Sequence, residues 1–242
     1  MKVIIIIIFG FLVVNSCLAR LDTIKITSKN LNRDIRIFWY RPESKEPFKS
    51  IVYFTDGEKM IENGTLSVIG SLTKYGAIPS AYYVFVSTID PISGVDYRNE
   101  YFFSNPRYLS FFESELIPEI ESIMRKVFNP DKRALVGISF GGLNTAYFSA
   151  KSKAFKNYAL LSPITYPRPG ILRDITFSSN KNLKIFISSG KSDAENYVKP
   201  LARIYQAKGH NIKTLYTPGG HNFENWNGQL NQALNFLKPR AN

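Results

Sequence analysis

The stretch RALVGISFGGLNTAYFSAK, Arg133 to Lys151, changes its period in the middle. The residues RALVGIS form a short apolar run of strand length, and FGGLNTAYFSAK reads as the helix that the run feeds. The switch falls on Ser139, with Gly137 two residues before it and Gly141 and Gly142 just after. A serine at such a point either packs a turn or is held there for chemistry. A turn this sharp forces the serine backbone into a strained conformation, and flanking glycines leave room for it. The hydroxyl then stands above the strand at a helix amino terminus, where developing negative charge is favoured. Gly-x-Ser-x-Gly recurs by chance, so its strand–turn–helix setting is what gives it meaning.

Working outward, DTIKITS and DIRIFWY alternate polar with apolar residues and read as strands. SIVYFTDGE is a compact apolar strand that stops at Asp56-Gly57, and AYYVFVST is another, followed by a polar loop through DYRNEYF. Leu109 to Val127 has the period of one long amphipathic helix, kinked at Pro118. NYALLSP, LKIFISSG and NIKTLYTPGG are further strands, separated and closed by the helical patterns AENYVKPLARIYQAKG and ENWNGQLNQALNFLK. Tyr166 to Asn182 has no clear period and reads as a surface loop. Strands alternating with helices at this spacing predict an α/β fold with a mostly parallel central sheet and helices on both faces. At 242 residues the chain has room for one well-packed domain, expected over residues 20–242.

The amino terminus, MKVIIIIIFGFLVVNSCLA, carries Lys2, an apolar run from Val3 to Val14 and small residues near Ala19. That layout predicts a cleaved export signal over residues 1–19, so the protein is expected to be periplasmic or secreted, with no stable membrane insertion afterwards. A retained anchor and a lipoprotein attached through Cys17 are the alternatives. Cys17 is the chain's single cysteine, so a mature chain would have no disulfide, thiol nucleophile or cysteine-ligated metal. The formal net charge of +12 falls to +11 without Lys2 and favours anionic substrates or surfaces. Lysine and arginine are spread along the chain without dense basic runs, which argues against nucleic-acid binding.

In a parallel α/β sheet ligands sit beyond the carboxyl ends of the strands. The residues that follow the strands are Asp56-Gly57-Glu58, the loop Asp96–Glu100, Ser139, Asp193 and His221. A serine hydroxyl needs a base, and the chain offers two histidines. His210, in AKGHNIK, falls at the opposite sheet edge and reads as a non-catalytic surface residue. His221, in TPGGHNFENW, follows a strand and is the candidate base. Asp193 is the candidate acid, with capping of the next helix as its alternative job and Glu195 as the substitute acid. The order Ser139, Asp193, His221 is that of α/β-hydrolases. An oxyanion hole would draw on the amides of Phe140 and Glu58. Arg98, Asp56 and Trp226 are candidate substrate contacts, with an ion pair involving Glu100 or simple packing as the other explanation. Tyr97, Tyr101 and Phe102 are placed equally well in the cleft or the core.

The segments YFTDGE, RNEYF, FFESELIPEIE, RALVGISFGGLNTAYFSAK, SSGKSD and PGGHNFENW, in that order, resemble the putative-esterase family of α/β-hydrolases. The resemblance runs from about Ile51 to Leu237. It implies an α/β-hydrolase fold without a large cap, Ser139 as nucleophile, His221 as base, Asp193 as acid, and Phe140 and Glu58 as oxyanion donors. Some siderophore esterases of the family are thought to use a serine–histidine pair alone, so Asp193 is the open carry-over. The expected protein is an exported serine esterase acting on a small ester, a siderophore lactone or a phenolic or acetyl ester, without metal or cofactor. Acyl transfer to a sugar or lipid alcohol, and a non-catalytic binding protein on the same fold, are the alternatives.

Overall fold

In the strand Ser50–Phe54 every residue is buried, yet neighbours look in opposite directions. Ile51 and Tyr53 enter one hydrophobic core, Val52 and Phe54 another. The same division holds for Val84 against Phe85, for Leu135 against Val136, and for Ile185 against Phe186. A strand apolar on both faces must be covered on both, which is the physical origin of the three-layer architecture. Each large side chain removed from water in this way contributes roughly 1.5–3 kcal/mol.

The computed structural model describes residues 18–239. Its elements run β1 (Arg20–Ser28), β2 (Arg33–Arg41), β3 (Ser50–Phe54), α1 (Gly57–Glu62), α2 (Thr65–Lys74), β4 (Ala81–Val86), α3 (Arg98–Phe102) and α4 (Pro106–Phe111). A π turn (Phe112–Leu116) leads into α5 (Ile117–Met124), then β5 (Arg133–Ile138), α6 (Phe140–Lys151), β6 (Asn157–Leu161) and α7 (Ile171–Thr176). The chain closes with β7 (Lys184–Gly190), α8 (Glu195–Ala207), β8 (Asn211–Thr217) and α9 (Phe223–Leu237). The sheet order is β1-β2-β4-β3-β5-β6-β7-β8. β1 and β2 are antiparallel to each other, β2 is antiparallel to β4, and the strands from β4 to β8 run parallel. Helices α3 to α8 cover one face through residues such as Phe112, Leu143, Phe148 and Leu201. α1, α2 and α9 cover the other through Met60, Ile69, Leu230 and Leu234. This is the α/β-hydrolase arrangement, and it sends the loops after β3, β5, β7 and β8 to one edge.

Three local expectations are corrected. The loop expected over Tyr166–Asn182 contains α7, whose six residues are too few to register a period although Ile171 and Ile175 are buried. The polar loop through Tyr97–Phe102 folds into α3, which buries Tyr101 and Phe102. The long helix expected from Leu109 starts earlier, at Pro106, and ends at Met124. Pro118 lacks the N–H that an α-helix would direct back to Ser114, and the chain widens into the π turn just before it. Helices α1 and α2 carried no expectation: Gly64, in a left-handed conformation (φ 81°), cuts that apolar stretch into two short pieces. Of the export signal expected over residues 1–19, residues 1–17, with the Cys17 site, lie outside the described residues.

Candidate active site

Ser139 leaves β5 with φ 54° and ψ −117°, a conformation that L-residues rarely adopt. Its neighbours explain how the strain is accommodated. A Cβ on Gly137 would sit 2.1 Å from the Gly141 carbonyl oxygen, and one on Gly142 would sit 2.9 Å from Pro163 Cα. A Cβ on Gly141 would come 2.5 Å from Thr55 Oγ1 and 3.0 Å from Asp56 Oδ2, so the elbow packs directly on the loop after β3. The Ser139 N–H donates to the Leu161 carbonyl at 2.9 Å, fixing the turn to β6. Phe140 opens α6, and an amide at that position has no acceptor within the helix.

Three side chains from three strand ends meet over this turn. His221 Nε2 lies 2.9 Å from Ser139 Oγ, and His221 Nδ1 lies 2.6 Å from Asp193 Oδ1. A carboxylate at Nδ1 can only accept, so Nδ1 carries the hydrogen and Nε2 is left to accept from the serine hydroxyl. The second Asp193 oxygen accepts the Gly190 N–H at 3.2 Å. The Asp193 side chain is 4% exposed and that of His221 38% exposed, so the acid is dry while the imidazole meets solvent. Asp193 does not cap α8, whose cap is Ala194 without a side-chain bond. Glu195 is turned to Lys199 at 2.8 Å, away from His221.

The histidine loop is held by residues on both sides of it and by the loop after β7. A Cβ on Gly190 would sit 2.0 Å from the Gly219 carbonyl oxygen, so the loops after β7 and β8 touch backbone to backbone. Asn222 caps α9 by accepting the Asn225 N–H at 3.0 Å. One turn on, Asn225 donates to the Gly220 carbonyl at 2.9 Å and accepts from Thr217 Oγ1 at 2.6 Å. Gln229 donates to Thr217 Oγ1 at 3.0 Å and accepts from Ser188 Oγ at 2.6 Å. The recurrence of Asn225 and Gln229 four apart on one face of α9 was the sequence signal for this network. Trp226, expected in the cleft, is instead buried beneath His221, with ring centroids 4.9 Å apart at 86° and its Nε1–H given to Ser162 Oγ at 3.0 Å.

Asp56 and Arg98, expected as substrate contacts, hold each other. Arg98 Nε donates to Asp56 Oδ1 and Arg98 Nη2 to Asp56 Oδ2 at 3.2 Å. Arg98 Nη2 also reaches the Ile138 carbonyl at 3.5 Å, and its guanidinium lies 5.3 Å from the Phe140 ring centre. The Asp56 side chain is fully buried and out of a substrate's reach. Burial raises its carboxyl while Arg98 opposes the rise. Glu100 pairs with Arg33 at 3.2 Å, not with Arg98. Tyr97 lies under the same Arg33 guanidinium and stacks on buried Tyr101, while Phe102 is core. His210, expected on the surface, is buried against Tyr205, and the Leu183 N–H donates to its Nδ1 at 3.5 Å. Burial and the nearby Lys208 and Lys156 push its imidazole down, and it stands at the amino edge of the sheet, far from Ser139.

Glu58, the second residue of α1, has its carboxyl buried against Ser87. Burial pushes this carboxyl above its ordinary value, and the Ser87 hydroxyl and its own N–H, both facing it, oppose the rise. Ser87 Oγ accepts the Ile89 N–H at 3.0 Å and has one hydrogen for two acceptors, the Ile89 carbonyl at 2.9 Å and Glu58 Oε1. A neutral Glu58 donating to Ser87 satisfies all three partners, and an ionised one leaves the Ile89 carbonyl without its donor. Glu58 Oε2 is buried without a partner, which a neutral acid tolerates far better than a carboxylate. Among the described residues no cluster of histidine, cysteine and acidic side chains is placed to hold a metal.

A serine at a strained strand-to-helix turn, with a histidine and a buried acid supplied by later strands of this sheet, defines the α/β-hydrolase class of enzymes. The chain belongs to the putative-esterase family, whose model matches residues 28–237. It is a carboxylic ester hydrolase. Among solved structures it is similar to a ferulic acid esterase, at 21% identity and TM-score 0.75 over 91% of this chain and 98% of that one. The enterobactin esterase FES from Shigella flexneri, solved in the presence of enterobactin, matches at 22% identity and TM-score 0.80 over 90% of this chain. The match covers 59% of that enzyme's chain. The BES protein from Bacillus cereus matches at 17% identity and TM-score 0.72 over 98% of both chains. No curated protein sequence matches the chain.

Proposed function

We propose that the protein is an exported serine esterase in which Ser139 is the nucleophile, His221 the general base and Asp193 the orienting acid. The observation that carries this reading is the unbroken line of contacts Asp193–His221–Ser139, at 2.6 and 2.9 Å. Ser139 Oγ attacks the ester carbonyl carbon and passes its proton to His221 Nε2. The carbonyl π pair moves onto oxygen, where the Phe140 amide receives it, with the Glu58 amide as second donor once the oxyanion draws it from its own carboxyl. Collapse breaks the ester C–O bond, and the imidazolium returns its proton to the leaving alcohol. Water then attacks the acyl-enzyme by the same route and frees the acid. Asp193, buried beside Nδ1, stabilises the imidazolium in both halves. Export rests on the leader through Ala19.

The ring of Phe140 supports an aromatic ester as substrate. It stands edge-to-face with Phe103 at 5.1 Å and with the exposed Tyr166 at 6.1 Å, giving a shelf of aromatic edges beside the serine. Such a shelf favours an aryl group through its quadrupole as well as its area. Ferulic acid and enterobactin, in the names of the neighbours, are aromatic compounds of this kind. The test is a fluorophosphonate probe followed by a panel of aryl and acetyl esters. Covalent labelling at Ser139, absent in Ser139→Ala, and faster turnover of the aryl esters are expected. An unlabelled but folded protein would make this a binding protein on the same fold. Products carrying an added sugar or lipid alcohol would make it an acyltransferase.

A further inference from the structure

The parallel strands give the molecule two unlike edges. The candidate site occupies the carboxyl edge, and the loops leading into β3 through β8 form the opposite, amino edge. Much of the chain's positive charge collects there. Lys45, Lys49, Lys132 and Lys238 line one cleft of about 1020 Å³, and among the described residues none of the four meets a carboxylate. Around it, Lys126, Lys156 and Lys208 give their hydrogens to the neutral carbonyls of Phe48, Lys181 and Thr176. Those contacts tie neighbouring loops together and leave the charges uncancelled. Glu43 pairs with Lys74 at 3.0 Å and Glu121 with Arg133 at 2.7 Å, which leaves Glu46, Glu113 and Asp131 as the acids beside the clefts of this edge.

The same loops display apolar tips. Tyr75 closes α2, Val127 precedes β5 and Phe177 closes α7, and they are 82%, 82% and 80% exposed. Exposed apolar side chains of this size have no packing role, and lysines interleaved with aromatic and aliphatic tips are the composition of a bilayer interface. The carboxyl edge also exposes Ile92, Val95 and Tyr166, but there Asp90 accompanies them, which an anionic surface would repel, and the nearby Lys59 is neutralised by Asp96 at 2.9 Å. Arg20 opens β1 opposite Arg41, at the end of β2 that pairs toward the start of β4. The chain therefore enters the described structure at the basic edge, beside the exposed Leu18.

We propose that the amino edge is a docking surface for an anionic lipid bilayer. The lysines lie over the headgroups, Tyr75, Val127 and Phe177 enter the interface, and the candidate site faces away into solution. No described helix is long and apolar enough to cross a membrane, so the association is peripheral. Its strength comes from Coulomb attraction and falls with salt.

The experiment is co-sedimentation of the full chain with vesicles of phosphatidylcholine alone and of phosphatidylcholine mixed with phosphatidylglycerol. The neutral vesicles measure whatever the leader contributes, and the difference between the two reads the basic edge. Each lysine near an anionic surface is worth about a fivefold change in partitioning. The variant Lys45→Glu/Lys49→Glu/Lys132→Glu/Lys238→Glu should therefore lose the preference for anionic vesicles by on the order of a thousandfold or more, because each charge is reversed and not merely removed. Val127→Ser/Phe177→Ser should weaken binding about tenfold. Both variants keep full esterase activity, which checks their folding. Equal sedimentation with both vesicle types overturns the proposal, and so does a fourfold charge variant that binds like the parent. Tight binding to soluble polyphosphate that is indifferent to Val127 and Phe177 assigns the edge to a free polyanion and overturns the bilayer.

Discussion

Replacing Asp193 by asparagine tests the site most sharply, because the structure dictates which way the new amide must point. One Asp193 oxygen accepts the Gly190 N–H at 3.2 Å and the other faces His221 Nδ1 at 2.6 Å. In Asp193→Asn the amide oxygen stays with the Gly190 N–H, since an NH2 there would oppose a donor. The NH2 group then faces Nδ1 and donates to it. Nδ1 must give up its hydrogen, Nε2 takes one, and Nε2–H can no longer accept the Ser139 proton. Folding is untouched, yet the base is in the wrong tautomer. Substitutions of this kind in serine hydrolases cost about 10⁴ in kcat, or ~5.4 kcal/mol at ~1.36 kcal/mol per tenfold. Asp193→Ala removes the orienting bond without imposing the wrong tautomer, so a loss no larger than that of the asparagine variant, again about 10⁴, is expected. The assay is steady-state hydrolysis of a short-chain nitrophenyl ester, with thermal melts to confirm the fold. An asparagine variant within tenfold of the parent would mean that a serine–histidine pair suffices. An alanine variant slower than the asparagine one would mean that Asp193 acts by holding the Gly190 loop, and the tautomer reasoning would be wrong.

Arg98→Lys keeps a charge beside Asp56, but one ammonium cannot span both carboxylate oxygens and the Ile138 carbonyl; kcat should fall about tenfold with KM nearly constant, by the same nitrophenyl assay. A raised KM at unchanged kcat would return Arg98 to substrate binding. Asp56→Ala leaves the guanidinium uncompensated at a buried site and should cost about 3–5 kcal/mol in urea unfolding. Glu58→Gln should stabilise the protein in a pH-dependent way. The folded carboxyl is raised above the ordinary glutamate value of 4.5, so the unfolded chain ionises first as pH rises and the parent loses stability up to the folded pKa. Melts of parent and variant should therefore nearly coincide at about pH 4 and favour the variant at about pH 8. Gln229→Leu strands Ser188 Oγ and should cost about 1–3 kcal/mol in denaturant unfolding, with a drop in kcat transmitted through the His221 loop.

What the sequence revealed and what it withheld divide by range. Strands buried on both faces announce themselves as continuous apolar runs, and the elbow is legible because three glycines fall within the six residues that carry the turn. Gly137 and Gly142 have no room for a side chain, and that requirement is written at their own positions. Short elements were missed for the converse reason: α1, α3 and α7 have five or six residues each, fewer than two helical turns, so no period develops. Roles set by partners distant in sequence stayed open between two readings. Asp56 and Arg98 both follow strands and both carry charge, which suggested a substrate surface. Nothing local says that they lie within bonding distance of each other across forty residues. Trp226 and His210 went the same way, since each is placed by packing against another element and not by its neighbours in the chain.

The ion pair between Asp56 and Arg98 ties the loop after β3 to the elbow after β5. Asp56 is itself left-handed, at φ 59°, and directly precedes Gly57, where a Cβ would come 2.9 Å from the backbone of Phe85 and Val86. Pressed against β4 on one side and Gly141 on the other, this loop has no slack of its own. Arg98 completes the enclosure by bonding Asp56 and the Ile138 carbonyl together while lying over the Phe140 ring. The amides of Phe140 and Glu58 therefore come from two segments joined by one guanidinium. Donors for a transient oxyanion must be in place before charge develops, because reorganising them during the reaction would consume the stabilisation that they offer. A buried fork bridging the two loops supplies that rigidity. The burial that raises the Glu58 carboxyl fits the same logic: a charge on the residue whose amide is a proposed donor would oppose the charge that the amide is there to receive.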